Sequence, residues 1–171
     1  MARASSPPGV TPERPGPGQR SVWSFPRPPA LEPVAARIQV IHHGVTLADT
    51  QHALAVLETS HAPTYYVPPA DVAWENIAPS ERTSFCEYKG QARYHHVELP
   101  GTFVRDAAWS YPAPSRRFRA LRDHVAFYAQ KLDACLVDGE AARGQAGGFY
   151  GGWITSAVTG PFKGEPGTGH W

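Results

Sequence analysis

Eighteen prolines and sixteen glycines in 171 residues set the terms on which this chain can fold. Proline fixes its own φ and donates no backbone hydrogen bond, while glycine has no side chain to pack, so much of the chain must be irregular. Yet 42% of the residues are hydrophobic and 11% aromatic, which is ordinary for a packed protein. A loop-rich single domain around a real core follows, since the length leaves little room for two.

Charge excludes some partners. The formal net charge of +1 comes from sixteen basic and fifteen acidic residues that are interspersed, leaving no field of one sign for nucleic acid or a membrane surface. The two cysteines, Cys86 and Cys135, are too few for a disulfide framework, and no charged start runs into an apolar stretch. A cytoplasmic protein is expected. Oligomeric state is not readable from these features.

The chain divides into three parts. Residues 1–20 form a proline-rich arm with almost no large apolar residue, expected to stay disordered because nothing offsets the entropy of ordering it. Residues 21–140 form the β domain, opening with a strap at Ser21 to Pro33 anchored by Trp23 and Phe25. Residues 141–171 are a glycine- and aromatic-rich tail, expected to pack on the domain through Phe149, Tyr150, Trp153 and Phe162.

Alternation of apolar and polar residues predicts strands at Arg37 to His42 and Val45 to Asp49, joined at His43-Gly44. A second hairpin is expected from Gln91 to Leu99 and Thr102 to Trp109 across Pro100-Gly101. Thr64 to Val67, Val125 to Tyr128 and Leu132 to Val137 are shorter strands, and His52 to Glu58 fits a strand or a short helix. Asp71 to Trp74 and Ser115 to His124 are the helical segments, the latter with Phe118, Leu121 and Val125 on one face.

The densest reactive segment is Ser84-Phe85-Cys86-Glu87-Tyr88-Lys89-Gly90. If it is extended, the period of two sends Cys86 and Lys89 to opposite faces. If it turns at Tyr88-Lys89-Gly90, both face one cavity, where the ammonium would favour a thiolate nucleophile. The plainer alternative makes Cys86 a small buried apolar residue and Lys89 a solvated strand end. Asp106, beside Trp109 and Tyr111, is the carboxylate placed to assist as acid or base, its ordinary role being a turn hydrogen bond.

Eight histidines raise the question of metal, but His42-His43 and His95-His96 are adjacent pairs that a strand would point to opposite faces. No metal site and no cofactor are expected. The tail glycines at 160, 164, 167 and 169 lack the lysine and hydroxyl residue of a phosphate-binding loop.

Four ordered motifs carry a resemblance: Pro63 to Pro68 with Asp71-Val72, Phe85 to Tyr94, Asp106 to Pro112, and Val125 to Tyr128. Over about Arg37 to Glu140 the chain closely resembles the domain-of-unknown-function family 427, labelled nucleotidyltransferase-like, with flanks like those of its longer bacterial members. The resemblance implies a mainly β, compact β-tent fold of the Mss4-like group with one or two short helices, and no settled activity. The Gly-Ser and Asp-x-Asp arrangement of nucleotidyltransferases and the paired zinc cysteines of better known β-tent proteins are both missing.

The expected function is an enzyme or enzyme-like protein holding a small organic molecule among Tyr65, Tyr88, Trp109, Tyr111 and Phe127, with Cys86, Lys89 and Asp106 as the catalytic candidates. A noncatalytic protein-binding module using the strap and Arg116, Arg117, Arg119 and Arg122 is the alternative, and a Cys86 redox enzyme a third.

Overall fold

A computed structural model describes residues 6–171, so the first five residues of the expected arm lie outside it. The chain is mainly β, as the alternating runs predict. Most strands are short and bounded by proline- or glycine-containing turns, and the helical segments shrink to short stretches of 3₁₀ helix.

Three sheets carry the fold. The largest is antiparallel, in the order β10 (Val125–Phe127), β9 (Thr102–Ser110), β8 (Gly90–Leu99), β7 (Ile77–Cys86). A second four-stranded sheet runs β12 (Glu140–Ala141), β11 (Ala134–Val137), β3 (Ile38–His42), β4 (Val45–Thr50). The third joins β2 (Ala30–Pro33), β5 (Leu54–Leu57) and β6 (Thr64–Tyr66). Val67 and Val125 exchange backbone hydrogen bonds of 2.8 and 2.9 Å, which ties the end of β6 to β10.

The turns explain the hairpins. His43 and Gly44 both take positive φ, 46° and 73°, the pairing that a tight two-residue hairpin loop demands. His52 to Glu58 resolves as strand β5. Strand β7 is the element the sequence does not advertise: its Pro79-Ser80-Glu81-Arg82 stretch lacks apolar alternation because it is an exposed sheet edge whose register shifts between Pro79 and Thr83. Ser115 to His124 contains a 3₁₀ segment, Arg116–Leu121, that buries Phe118 and Leu121 and leaves the arginines outside.

Alternation divides the interior in two. Successive residues of a strand face opposite ways. Tyr65, Val67, Val125 and Phe127 enter one apolar cluster with Trp153 and Ile38. Their neighbours Tyr66, Ala126 and Tyr128 enter a second, with Tyr94, Trp109 and Tyr111.

The flanks are fastened to this frame. The Trp23 indole donates to the Pro161 carbonyl at 3.0 Å, and from Ser6 onward the proline-rich segment is held by Glu13, whose N–H donates to the Gly160 carbonyl. The tail adds two short pairs: β13 (Arg143–Gly144) with β14 (Trp153–Ile154), and β15 (Val158–Thr159) alongside β1 (Arg20–Ser21). Trp153 is buried and donates to the Phe127 carbonyl at 2.9 Å, whereas Phe149, expected to pack, is exposed, its ring meeting Tyr150 edge-on and its backbone carbonyl accepting from the Tyr128 hydroxyl.

Gln145, 1% exposed, joins tail to domain: its carbonyl accepts from Ala62 N–H at 3.0 Å and its amide donates to the Lys163 carbonyl at 2.7 Å. Gln145→Leu keeps the bulk but strands both partners. It is expected to lower the unfolding free energy by about 2 kcal/mol or more, read from urea denaturation. An unchanged midpoint would show that the tail is not fastened there.

Candidate functional site

Strand β7 ends at Cys86, pairs there with Gly90, and the chain reverses through Glu87, Tyr88 and Lys89. Gly90 makes the reversal feasible, since its φ of 107° is denied to residues with a side chain. Ser115 pins the turn: its hydroxyl donates to the Tyr88 carbonyl at 2.6 Å and its N–H to the Lys89 carbonyl at 2.9 Å. Of the two conformations open from the sequence, the turn is the one adopted, and Cys86 and Lys89 line a single cavity of about 270 Å³.

The second apolar cluster forms the wall of that cavity. Trp109 and Tyr111 from β9, Tyr94 from β8, and Tyr66 and Tyr128 line it. The Trp109 indole packs against Tyr128 with ring centroids 4.5 Å apart and donates to the Tyr66 hydroxyl at 3.4 Å. Burial pushes the Tyr66, Tyr111 and Tyr128 phenols well above their ordinary pKa, so they remain protonated hydrogen-bonding groups.

The tail adds Phe149, Tyr150, Gly151 and Lys163 to the lining. Gly151 lies so close to Trp109 that an added Cβ would clash with the indole. Glycine is what lets the backbone approach the ring.

Lys89 dominates the electrostatics. The residue is 9% exposed, its ammonium sits 5.8 Å from the centre of the Tyr111 ring, and no carboxylate of the described residues comes within salt-bridge distance of it. Burial works to lower its pKa, while charge interactions with Tyr66, Cys86 and Glu58 and a hydrogen bond with Cys86 raise it, leaving it above the ordinary lysine value. Lys89 is therefore an ammonium without a salt-bridge partner among the described residues.

Three candidates fall outside the cavity. Tyr65 and Phe127 are placed in the other cluster, because each sits one residue off the alternation that carries Tyr66 and Tyr128 inward. Asp106 lies at a kink in β9 with φ of 49°, where its carboxylate accepts from Ser80 at 2.5 Å and its N–H donates to His96 Nδ1 at 2.9 Å. That is its ordinary turn role. Tyr88, Trp109, Tyr111, Cys86 and Lys89 do share the cavity wall.

The sequence reading missed Tyr66, Tyr94, Tyr128, Glu58, His61 and Lys163. For Tyr66 and Tyr128 a signal existed, since each adjoins a residue already singled out. Glu58, His61 and Lys163 carry no local signal, because they reach the cavity only through tertiary packing.

The separation of His42 from His43 also needs correcting. With His43 in a left-handed turn the two rings stack at 4.4 Å, and Asp133 joins them, with candidate ligand atoms within 4.8 Å of one another. The set is nevertheless a poor match to a metal. His42 Nδ1 accepts the Asp133 N–H at 3.1 Å, so in the neutral ring the other nitrogen holds the hydrogen and no lone pair is free. Asp133 in turn caps the His43 N–H at 2.8 Å, which accounts for the grouping as a turn brace.

A family profile described as a domain of unknown function, DUF427, under the short name NTP_transf_9, matches residues 30–138. The chain belongs to this family. No curated protein matches it. The matched DUF427 segment holds Lys89, Cys86 and the cavity tyrosines at 66, 94, 111 and 128, whereas Tyr150, Gly151 and Lys163 come from beyond it.

The two thiols should separate chemically. Cys135 is buried in the first cluster and burial pushes its thiol up to about 12, while Cys86 is partly exposed at the cavity. A thiol reagent such as DTNB is expected to modify one cysteine of the native protein and both after denaturation, with Cys86→Ser abolishing the native reaction. Equal reactivity of the two would contradict this placement.

Proposed function

We propose that the cavity is a binding site for a small organic acid, held flat against the aromatic wall with its carboxylate at Lys89. The carrying observation is the buried Lys89 ammonium, which lies beside the Tyr111 ring and makes no salt bridge with the carboxylates of the described residues, although Glu58 and Glu87 also line the cavity. An unpaired buried charge is costly to the folded state, and an anionic ligand supplies what the protein does not. The volume of about 270 Å³ supports a small occupant, being just under the roughly 300–1,000 Å³ of common ligand pockets.

Burial of Trp109 and Tyr111, 7% and 5% exposed, favours a cavity ligand over a flat protein-binding surface. The cationic state of Lys89 supports a role in holding charge more than one as a nucleophilic amine. Cys86, lining the same cavity, is the side chain available for covalent chemistry on the bound acid. The redox alternative has less support, since the second cysteine sits in the other cluster and supplies no resolving thiol at the cavity.

Calorimetric titration with benzoate, benzyl alcohol and benzylamine tests this. Benzoate is expected to bind more tightly than the neutral and cationic analogues, and Lys89→Met to weaken it roughly tenfold or more. Because that substitution removes an unpaired buried charge, its melting temperature should match or exceed the wild type's. Equal binding of the three probes, or benzoate affinity unchanged in Lys89→Met, would sink the assignment.

A further inference from the structure

The lining of the same cavity includes a histidine that the proposed binding mode leaves unused. His61 follows Ser60, whose φ of 71° turns the chain after β5, and its imidazole is part of the cavity wall with a side chain only 16% exposed. Nδ1 lies 2.9 Å from the Thr59 carbonyl oxygen and 3.5 Å from Glu58 Oε2. Both oxygens accept hydrogen, so Nδ1 holds one, and in the neutral ring the lone pair falls on Nε2.

The ring is held in that form. Burial lowers its pKa below the ordinary histidine value, Lys163 and Arg27 act the same way, and Glu58 and the Thr59 carbonyl oppose them without prevailing. Tyr150 meets the imidazole edge-on at 5.2 Å, with the Lys163 ammonium 5.6 Å from the centre of the Tyr150 ring. Glu58 is itself engaged by Arg27 at 3.2 Å, so it does not claim the second imidazole nitrogen.

Nε2 has no hydrogen-bond partner among the described residues, and it is not sealed in, since the one fully buried side-chain N or O atom without a partner there is Ser60 Oγ. The cavity therefore offers an ammonium that only donates at Lys89, phenols able to do either, and an imidazole nitrogen that only accepts at His61.

Building on the organic-acid reading, we infer that His61 is a second polar subsite, whose Nε2 accepts a hydrogen bond from a hydroxyl carried by the bound acid. The ligand class is then a hydroxylated planar acid. A site that presents an acceptor discriminates strongly against the analogue lacking the donor, because filling the cavity expels water and leaves the nitrogen unpaired.

The experiment compares benzoate with 3- and 4-hydroxybenzoate by calorimetry on the full chain and on His61→Phe, which keeps a ring against Tyr150 but has no acceptor. At about pH 7.5 one hydroxylated isomer is expected to bind roughly tenfold or more tighter than benzoate, and the preference should disappear in His61→Phe while benzoate affinity persists. The preference should also fade well below the ordinary imidazole pKa of about 6.5, where Nε2 takes up a proton and stops accepting. Nitrogen NMR of the wild type gives a readout independent of the variant's folding: Nε2 should be unprotonated at neutral pH. A protonated Nε2 there, no preference among the acids, or a preference that survives in His61→Phe overturns the subsite. Failure of benzoate and the hydroxybenzoates alike to bind overturns the parent reading, whereas benzoate binding without preference overturns only the role of His61.

Discussion

The backbone bonds between Val67 and Val125 fix which way every neighbouring side chain faces. With those two residues paired, alternation sends Tyr65 and Phe127 into the main apolar cluster and Tyr66 and Tyr128 to the other side, where they meet Trp109. A shift of one residue in that register would exchange the sets and put the cavity's hydroxyls into the apolar core. The aromatic chamber therefore depends on a two-bond contact between two short strands.

The chamber combines groups that fold well with one that does not. Its rings bury large apolar areas, and the Trp109–Tyr66 and Tyr128–Phe149 hydrogen bonds satisfy indole and phenol. Lys89 works against this, as an ammonium withdrawn from water without a salt bridge. The tight turn that puts it there is itself costly to specify: it needs a left-handed glycine at 90 and two hydrogen bonds from Ser115. Such local cost, concentrated around one charged side chain, is what motivates the proposed binding site.

Much of this was legible before the structure. The hairpin at His43-Gly44, the turn at Pro100-Gly101 and the strands around them follow from alternation and turn residues, and the Ser84 to Gly90 segment stands out by its chemistry. Strand β7 was hidden because an exposed edge has no apolar face to betray it. Tyr65 and Phe127 were misplaced because a bare list of aromatics cannot show which parity faces the cavity. Asp106 misled for a different reason: a carboxylate near Ser, Trp and Tyr looks the same in sequence whether it reaches the cavity or braces a kink. His42 and His43 show the limit of the alternation rule itself, which lapses where a hairpin loop takes positive φ.

Gly151 resting on the Trp109 indole has a consequence for how such a site can diversify. The ring belongs to the segment matched by the DUF427 profile, and the glycine to the tail beyond it. The chamber thus has a family half, with the Lys89 ammonium, the thiol and most of the phenols, and an appended half formed by Tyr150, Gly151 and Lys163, which brings a second ammonium. Exchanging the appended half would leave Lys89 in place while removing Lys163 and reshaping the wall that Tyr150 and Gly151 form. On the proposed reading, the groups that would hold the acid and its hydroxyl, Lys89 and His61, both stay with the family segment, while the rest of the wall sits on a separable stretch of chain that can vary without displacing them.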